Sequence, residues 1–330
     1  MARPQIRVGI DFDDDGFRLA AIRLSPRCDS PSSSQLSLQW LHRVAERTPP
    51  MDGDLAGYLE ALASRLPRYA TRGGVAASIA MPPTAQSLRC VPSSQLAEAE
   101  RGIADELGGE VQCRSWPVGA QKSMICGVRR DIAESMIAIL RDVGYRCDSI
   151  LPRSIALART LLAATQAAEP NATILCWGRR RTLVTTIHDQ TIRLCREFMI
   201  LEPVPCDPSS EGGNAPQDTS EDRLTQVASE IADELMLTLQ HASRLNSRIV
   251  LGPIIVCGPM SADPQAIQLL RPALNELFDG KVEAWQFSPD AHSGGSSVAS
   301  WDRADAVAAS LAIGGSRLAA DQVQAGVMLR

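Results

Sequence analysis

The sequence predicts an α/β fold of two lobes, each a mixed sheet with helices on its faces, and three observations carry that expectation. The chain has 330 residues, long enough for two domains or one large bilobal one. Hydrophobic residues make up 45% and charged residues 22%, as in a globular protein, while aromatics at 4% leave the core to Ala, Leu, Ile and Val. Both halves open in the same way, with a three-stranded meander followed by helices, and that repetition suggests duplication.

In the first half, Ile6, Val8 and Ile10 alternate with Arg7 and Gly9, and Phe17, Leu19 and Ala21 alternate with Arg18 and Ala20, the period of two half-buried strands in one hairpin. The turn between them is Asp11 to Gly16. After a polar loop from Ser25 to Ser34, Gln35 to Val44 reads as a third strand with Leu36, Leu38 and Trp40 on one face. Leu55, Leu59, Leu62 and Leu66 have helical spacing, and Pro67 stops that helix. Gly73 to Pro82 is a strand. Ser94 can cap a helix that presents Leu96, Ala99, Ile103 and Leu107 to the core and ends at Gly108. Ser123 to Val128 is a strand running into a helix from Asp131 to Val143, closed by Gly144. A short strand from Tyr145 to Leu151 follows, and Pro152 opens an Ala- and Leu-rich helix to Ala168.

In the second half, Ala172 to Gly178, Thr182 to His188 and Thr191 to Phe198 repeat the meander, with Arg179, Arg180 and Arg181 in its first turn. Residues 206–222 are polar and read as a flexible, linking loop. A long helix runs from about Arg223 to Leu245, then a buried strand from Arg248 to Gly258, a helix from Pro264 to Leu277 and an edge-like strand from Val282 to Phe287. Ser288 to Ser300 is a polar loop, and Arg303 to Ala320 is a last helix in which Gly314 and Gly315 allow close approach to a neighbour.

A net charge of -5 and a pI of about 5.5 supply no electrostatic reason to expect nucleic acid or a membrane surface. The cysteines, Cys28, Cys90, Cys113, Cys126, Cys147, Cys176, Cys195, Cys206 and Cys257, are scattered, odd in number and never spaced as Cys-x-x-Cys. They read as the reduced thiols of a cytosolic protein rather than as a disulfide frame or a zinc site. No apolar stretch approaches the ~20 residues needed to cross a bilayer, and Met1 to Pro4 does not start a signal peptide, so a membrane is reached only through a partner.

An apolar strand ending in Gly9-Ile10-Asp11 before a Gly-containing turn is how several folds present amides to a phosphate, yet Asp13, Asp14 and Asp15 have the wrong charge for an anion. Hard oxygen ligands on a turn suit Mg²⁺ or Ca²⁺, but a solvated hairpin tip carries the same residues and the spacing is not that of an EF-hand. Arg179 to Arg181 could grip a phosphate, or pair with the acidic turn across a cleft. His42, His188, His241 and His292 share no spacing that marks a metal or base. No Gly-x-Ser-x-Gly turn supports serine hydrolysis, and the glycine pairs fail the dinucleotide pattern.

The order of these elements resembles the actin-like ATPase superfold, and within it the PilM family of type IV pilus assembly, with the GspL-like proteins of type II secretion close behind. The resemblance rests on the first hairpin, on Ser94 to Leu107, on Val128 to Gly144, on Leu151-Pro-Arg-Ser-Ile-Ala-Leu-Ala-Arg159 against the family's Pro-x-Ala-Leu-Ala-Arg helix, and on the hairpin from His188 to Glu197. It covers nearly the whole chain, through an order of weak motifs. It implies a first lobe over 1–168 with a small inserted subdomain at about 90–130. It implies a second lobe over 169–330, with a reduced upper subdomain and a last helix, 303–320, packing back on the first lobe.

The family's nucleotide contacts map onto Asp11, Asp13 and Gly16, onto Gly178, and onto Gly258, and all three places depart from its pattern. Asp13 to Asp15 replace small hydroxylic residues, Cys176 stands where the second loop has an acid, and Pro259 removes an amide after Gly258. The expectation is a non-enzymatic cytoplasmic scaffold without cofactor, ATP and Mg²⁺ being disfavoured. It would bind the cytosolic N-terminal segment of a PilN-like single-span membrane protein in a pilus or type II secretion platform, with self-association also open to it. The alternative is a functional ATP-binding protein or ATPase of the same superfold.

Overall fold

The computed structural model describes residues 5–13, 16–26, 36–47, 64, 75–117, 121–165, 171–178, 180–188, 191–200, 218–245, 252–262, 264–275, 282–284 and 306–314. The chain forms two compact units, chiefly Met1–Gln166 with Asp305–Arg330, and Ala167–Gln286.

In the first unit, strands β1 (Gln5–Asp13), β2 (Gly16–Pro26) and β3 (Leu36–Arg47) form the meander, and β4 (Val75–Ala80) follows. An insertion comes next: β5 (Gln86–Pro92), α1 (Leu96–Leu107), β6 (Val111–Pro117) and β7 (Lys122–Arg129). The main sheet resumes after α2 (Arg130–Asp142) with β8 (Tyr145–Ile150), and α3 (Arg153–Thr165) leaves it. The second unit holds β9 (Asn171–Trp177), β10 (Arg181–His188), β11 (Thr191–Met199), α4 (Asp218–Leu245), β12 (Ile254–Cys257), α5 (Pro264–Asn275) and β13 (Val282–Ala284). A last helix, α6 (Ala306–Gly314), returns to the first unit.

The main sheets have the same topology. One is ordered β3-β2-β1-β4-β8 and the other β11-β10-β9-β12-β13. In each, the meander is antiparallel and the three strands from its first member outward are parallel. The repeat read from the two meanders therefore extends to whole sheets, with β1 and β9 in equivalent central places.

Both faces of β1 are buried, which differs from the half-buried strand its alternation predicts. Val8, Ile10 and Phe12 pair across the hairpin with Ala21, Leu19 and Phe17, all no more than 1% exposed. The opposite face carries Arg7, Gly9 and Asp11, and α6 covers its centre. A Cβ on Gly9 would lie 1.9 Å from the Ala308 carbonyl oxygen and 2.6 Å from the Ala312 nitrogen. Only a residue without a side chain lets the helix backbone come so close. Ala20, Ile22, Ala308, Ala309 and Ala312 form the small apolar seam of that contact. Arg7 is held at one end of the face by Asp148, 3.0 Å from Nη2.

In the insertion, a three-stranded antiparallel sheet ordered β5-β7-β6 carries α1, with Ala99, Ile103, Leu107 and Ile125 as its core. It begins at Gln86, before the expected bound. The flanking strands β5 and β6 escape sequence reading because β6 buries Trp116 alone, so neither period shows. Ser94 does not cap α1. Ser93–Gln95 make one 3₁₀ turn, Gln95 takes the cap position without a side-chain bond, and Ser93 Oγ lies 2.9 Å from Ser123 Oγ.

In the second unit α4 and α5 cover one sheet face, burying Leu224, Val227, Ile231 and Leu235, then Ala266, Leu270 and Leu274, against Leu175, Val184, Ile254 and Val256. Helix α4 begins at Asp218, so residues 218–222 of the expected loop are helical. Asp218, Thr219 and Ser220 are residue types that open helices, and Glu221 and Asp222 put negative charge at its positive end. The rest of that loop, the helix expected at Leu55 to Leu66 apart from Ser64, and the loop at Ser288 to Ser300 lie outside the described residues. So do residues 315–320 of the last helix.

Candidate functional site

In open α/β sheets, ligands are received outside the carboxyl ends of the parallel strands. Those ends are the Asp11–Gly16 hairpin and the start of α3 in the first unit, and the Gly178 and Gly258 turns in the second. They are the places the family resemblance selects.

In the first unit, β1 runs to Asp13 and β2 starts at Gly16, paired with each other, so Asp11 and Asp13 sit in the ladder rather than in a six-residue turn. Asp14, Asp15 and the Asp13 side chain lie outside the described residues. With Asp13 paired to Gly16, two residues join the strands. Asp11 is 5% exposed. Its Oδ1 accepts a 2.7 Å bond from Nε of Arg153, the first residue of α3, and Nη2 of the same guanidinium donates to the Phe12 carbonyl. Arg18 is the cross-strand neighbour of Asp11 on β2.

Sequence reading missed the Arg153 contact, though a signal existed. A cation on a helix's first residue opposes the positive end of the helix dipole, which favours an acid nearby.

In the second unit β9 ends at Trp177. The Gly178 N–H donates to the Arg181 carbonyl over 3.0 Å, and the Arg180 carbonyl accepts 2.7 Å from the Ile200 N–H, so both groups are used within the unit. Cys176, in the place of the family's acid, is buried beside Cys257 on the parallel neighbour β12. Gly258 has φ of +97°, and a Cβ there would stand 2.6 Å from the Trp177 carbonyl oxygen and 2.8 Å from its nitrogen. The two turns are thus seated against each other, and only glycine meets both the angle and the distance.

After Gly258 the chain makes one 3₁₀ turn, Pro259–Ala262. Pro259 has no N–H, and the Ser261 N–H and Oγ both donate to the Gly258 carbonyl, at 3.1 and 2.7 Å. The turn is closed on itself. Trp177 is fully buried beneath it among Val184, Phe198, Ile200 and Met260. Its Nε1 and the Oγ1 of the opposing Thr182 have no hydrogen-bond partner, yet both residues are 0% exposed, so neither offers itself to a ligand.

These groups do not fit an ATP phosphate chain with its metal. The matching carboxylate is committed to a guanidinium, the second loop presents a thiol, and the third turn has spent its donor. Arg179 lies outside the described residues.

Among the described residues no three His, Cys, Asp or Glu side chains are placed to hold a metal, and the described cysteines are free thiols. Burial pushes the Cys126 thiol up to about 12 and the Cys147 thiol up to about 11, and raises Cys90 and Cys113 as well, so these thiols stay protonated and unreactive near neutrality. Burial lowers the pKa of Arg7, against the pull of Asp148, and that of Arg159.

No family model matches the chain, and no curated protein matches it. Among solved structures it is similar to a chain of a "PilM-PilN type IV pilus biogenesis complex", with a TM-score of 0.64 and 16% identity over 94% of this chain and 98% of that one. It is also similar to the cytoplasmic domain of EpsL, an inner-membrane component of the type II secretion system of Vibrio cholerae, with a TM-score of 0.40 and 12% identity over 87% and 99%. An inorganic polyphosphate/ATP-glucomannokinase from Arthrobacter matches with a TM-score of 0.49 and 16% identity over 97% and 100%. The fold is the actin-like ATPase fold. No helix among the described residues is long and apolar enough to cross a membrane.

Proposed function

We propose that this protein is a non-enzymatic, PilM-like scaffold that docks the cytosolic N-terminal tail of a PilN-type single-span membrane protein and so joins a pilus or secretion platform at the inner membrane. The observation that carries this reading is the pairing of a near full-length likeness to the PilM–PilN chain with an Asp11 already bound to Arg153. The scaffold would be cytoplasmic and reach the membrane through its partner.

The test is co-expression with the cytosolic tail of a small single-span protein encoded beside it, read by co-purification and by melting temperature. Ligand at 100 times its Kd stabilises by roughly 2.7 kcal/mol, so a bound tail gives a saturating rise. Mg-ATP should give none. A rise that saturates with Mg-ATP but not with the tail would select the alternative, an ATP-binding protein or ATPase of the same fold.

A further inference from the structure

We propose that Cys176 and Cys257 form a peroxide-sensitive dithiol, a modification site that hydrogen peroxide converts into a disulfide joining the ends of β9 and β12.

The nine cysteines have no paired spacing in the sequence, and the fold supplies a pair that the spacing hides. Cys176 and Cys257, both thiols, are register partners at the last residue pair of the parallel β9–β12 ladder. Among the described residues no other cysteine faces a cysteine in its ladder. Cys90 faces Met124, Cys113 faces Gly127, Cys126 faces Leu88 and Arg114, Cys147 faces Ala77 and Cys195 faces Thr185. Leu175, Trp177, Ile254 and Val256 belong to the core under α4 and α5, so by alternation Cys176 and Cys257 share the opposite face of the sheet. Neighbouring strands run ~4.8 Å apart, and a disulfide joins Cα atoms about 4.4 to 6.8 Å apart, so the bond lies within reach of the strand ends as they stand.

Different exposure sets the order of the chemistry. Cys176 is 7% exposed and Cys257 0%, so peroxide, little larger than water, meets the Cys176 sulfur first. The Cys176 thiolate attacks one peroxide oxygen, the O–O bond breaks, and the hydroxide that leaves takes up the proton Cys176 gave up, as water. Cys176 is then a sulfenic acid. The Cys257 sulfur attacks the Cys176 sulfur, the S–O bond breaks, and the departing oxygen takes the Cys257 proton and leaves as a second water. Two thiols are oxidised to one disulfide while one peroxide is reduced to two waters.

The bond would close a loop that carries β10, β11 and α4. It would also fasten together the Gly178 and Gly258 turns, which follow the two cysteines and already meet through Trp177. A cross-link that closes a long loop restricts the unfolded chain most, and in a reducing compartment such a bond is transient.

The test uses the full chain, held with a small molar excess of hydrogen peroxide until a mass-spectrometric peptide map stops changing, with remaining thiols alkylated under denaturing conditions. In native protein the Cys176 and Cys257 peptides should pass from their alkylated forms into one joined form, and dithiothreitol should return them. With dimedone present, which captures sulfenic acids, Cys257→Ala should be tagged at Cys176, and Cys176→Ala should carry no tag at Cys257. The native map needs no variant, so a variant that does not fold leaves the test standing. Absence of the joined form, Cys176 joined instead to another cysteine, or a tag on Cys257 in Cys176→Ala overturns the proposal.

Discussion

Replacing Gly9 by alanine adds one methyl group, and the structure says where it goes. The new Cβ would lie 1.9 Å from the Ala308 carbonyl oxygen, 2.6 Å from the Ala312 nitrogen and 2.9 Å from the Ala308 carbonyl carbon, all backbone atoms of α6. No rotamer can relieve a backbone clash, so α6 must retreat by roughly 1.5 Å in an interior packed like a crystal. The retreat opens the seam of Ala20 and Ile22 against Ala308, Ala309 and Ala312. Overpacking costs typically 1 to 3 kcal/mol, and a clash this deep belongs at about 3. For a folding unit of roughly 150 to 250 residues, the class of the first unit, that corresponds to a melting temperature lower by roughly 6 to 12 °C. Circular dichroism melts measure it, and limited proteolysis should show early cleavage in or after α6. A Gly9→Ala protein melting within about 1 °C of native would refute the reasoning. So would rescue by Ala308→Gly, since that change leaves the clashing carbonyl in place.

Gly258→Ala should also destabilise, by about 1 to 3 kcal/mol, because it meets the Trp177 backbone and strains a positive φ; urea melts with unchanged slope would register it. Asp148→Asn removes a carboxylate charge 3.0 Å from the buried Arg7 guanidinium and should cost about 2 kcal/mol, whereas Arg146→Ala, whose own bond to Asp148 is exposed, should stay within about 0.5 by the same melts. The folded state holds the Cys126 proton up to about 12 and the Cys147 proton up to about 11, while an unfolded thiol releases its proton near about 8.5. Their contribution is therefore intact below about pH 8.5 and is lost as pH rises through that window, at roughly 1.4 kcal/mol per unit per thiol, and Cys126→Ala should flatten the fall between melts at about pH 8 and about pH 10.5.

The repeated meander was legible because apolar alternation is a property of each strand alone, and strands from Gln5 to Pro26 and from Asn171 to Met199 needed no distant partner to show it. Burial of the second face of β1 was not legible, because it depends on α6, which reaches Gly9 from the other end of the chain. The polar start of α4 read as loop, since the residues that open helices are also those of loops. At the candidate site the positions of Gly178 and Gly258 could be read, but their mutual contact through Trp177 is a fact of tertiary structure. Asp11 was found by its place after an apolar strand, and its partner was not, because nothing local links residue 11 to residue 153.

The return of α6 also bears on how the chain is made. Gly9 leaves the ribosome long before Ala308, so the face of β1 that carries Gly9 has no covering helix while the residues between them are made. Every described strand and helix of the second unit, from Asn171 to Ala284, emerges before α6 does. Domains usually mature in the order of synthesis. Here β1 is covered only after the described elements of the second unit have been made, and a long-range contact of this kind slows folding. The unit that begins first should be the one that finishes last, exposing Ala20 and Ile22 to chaperones and to other nascent chains until the final helix docks.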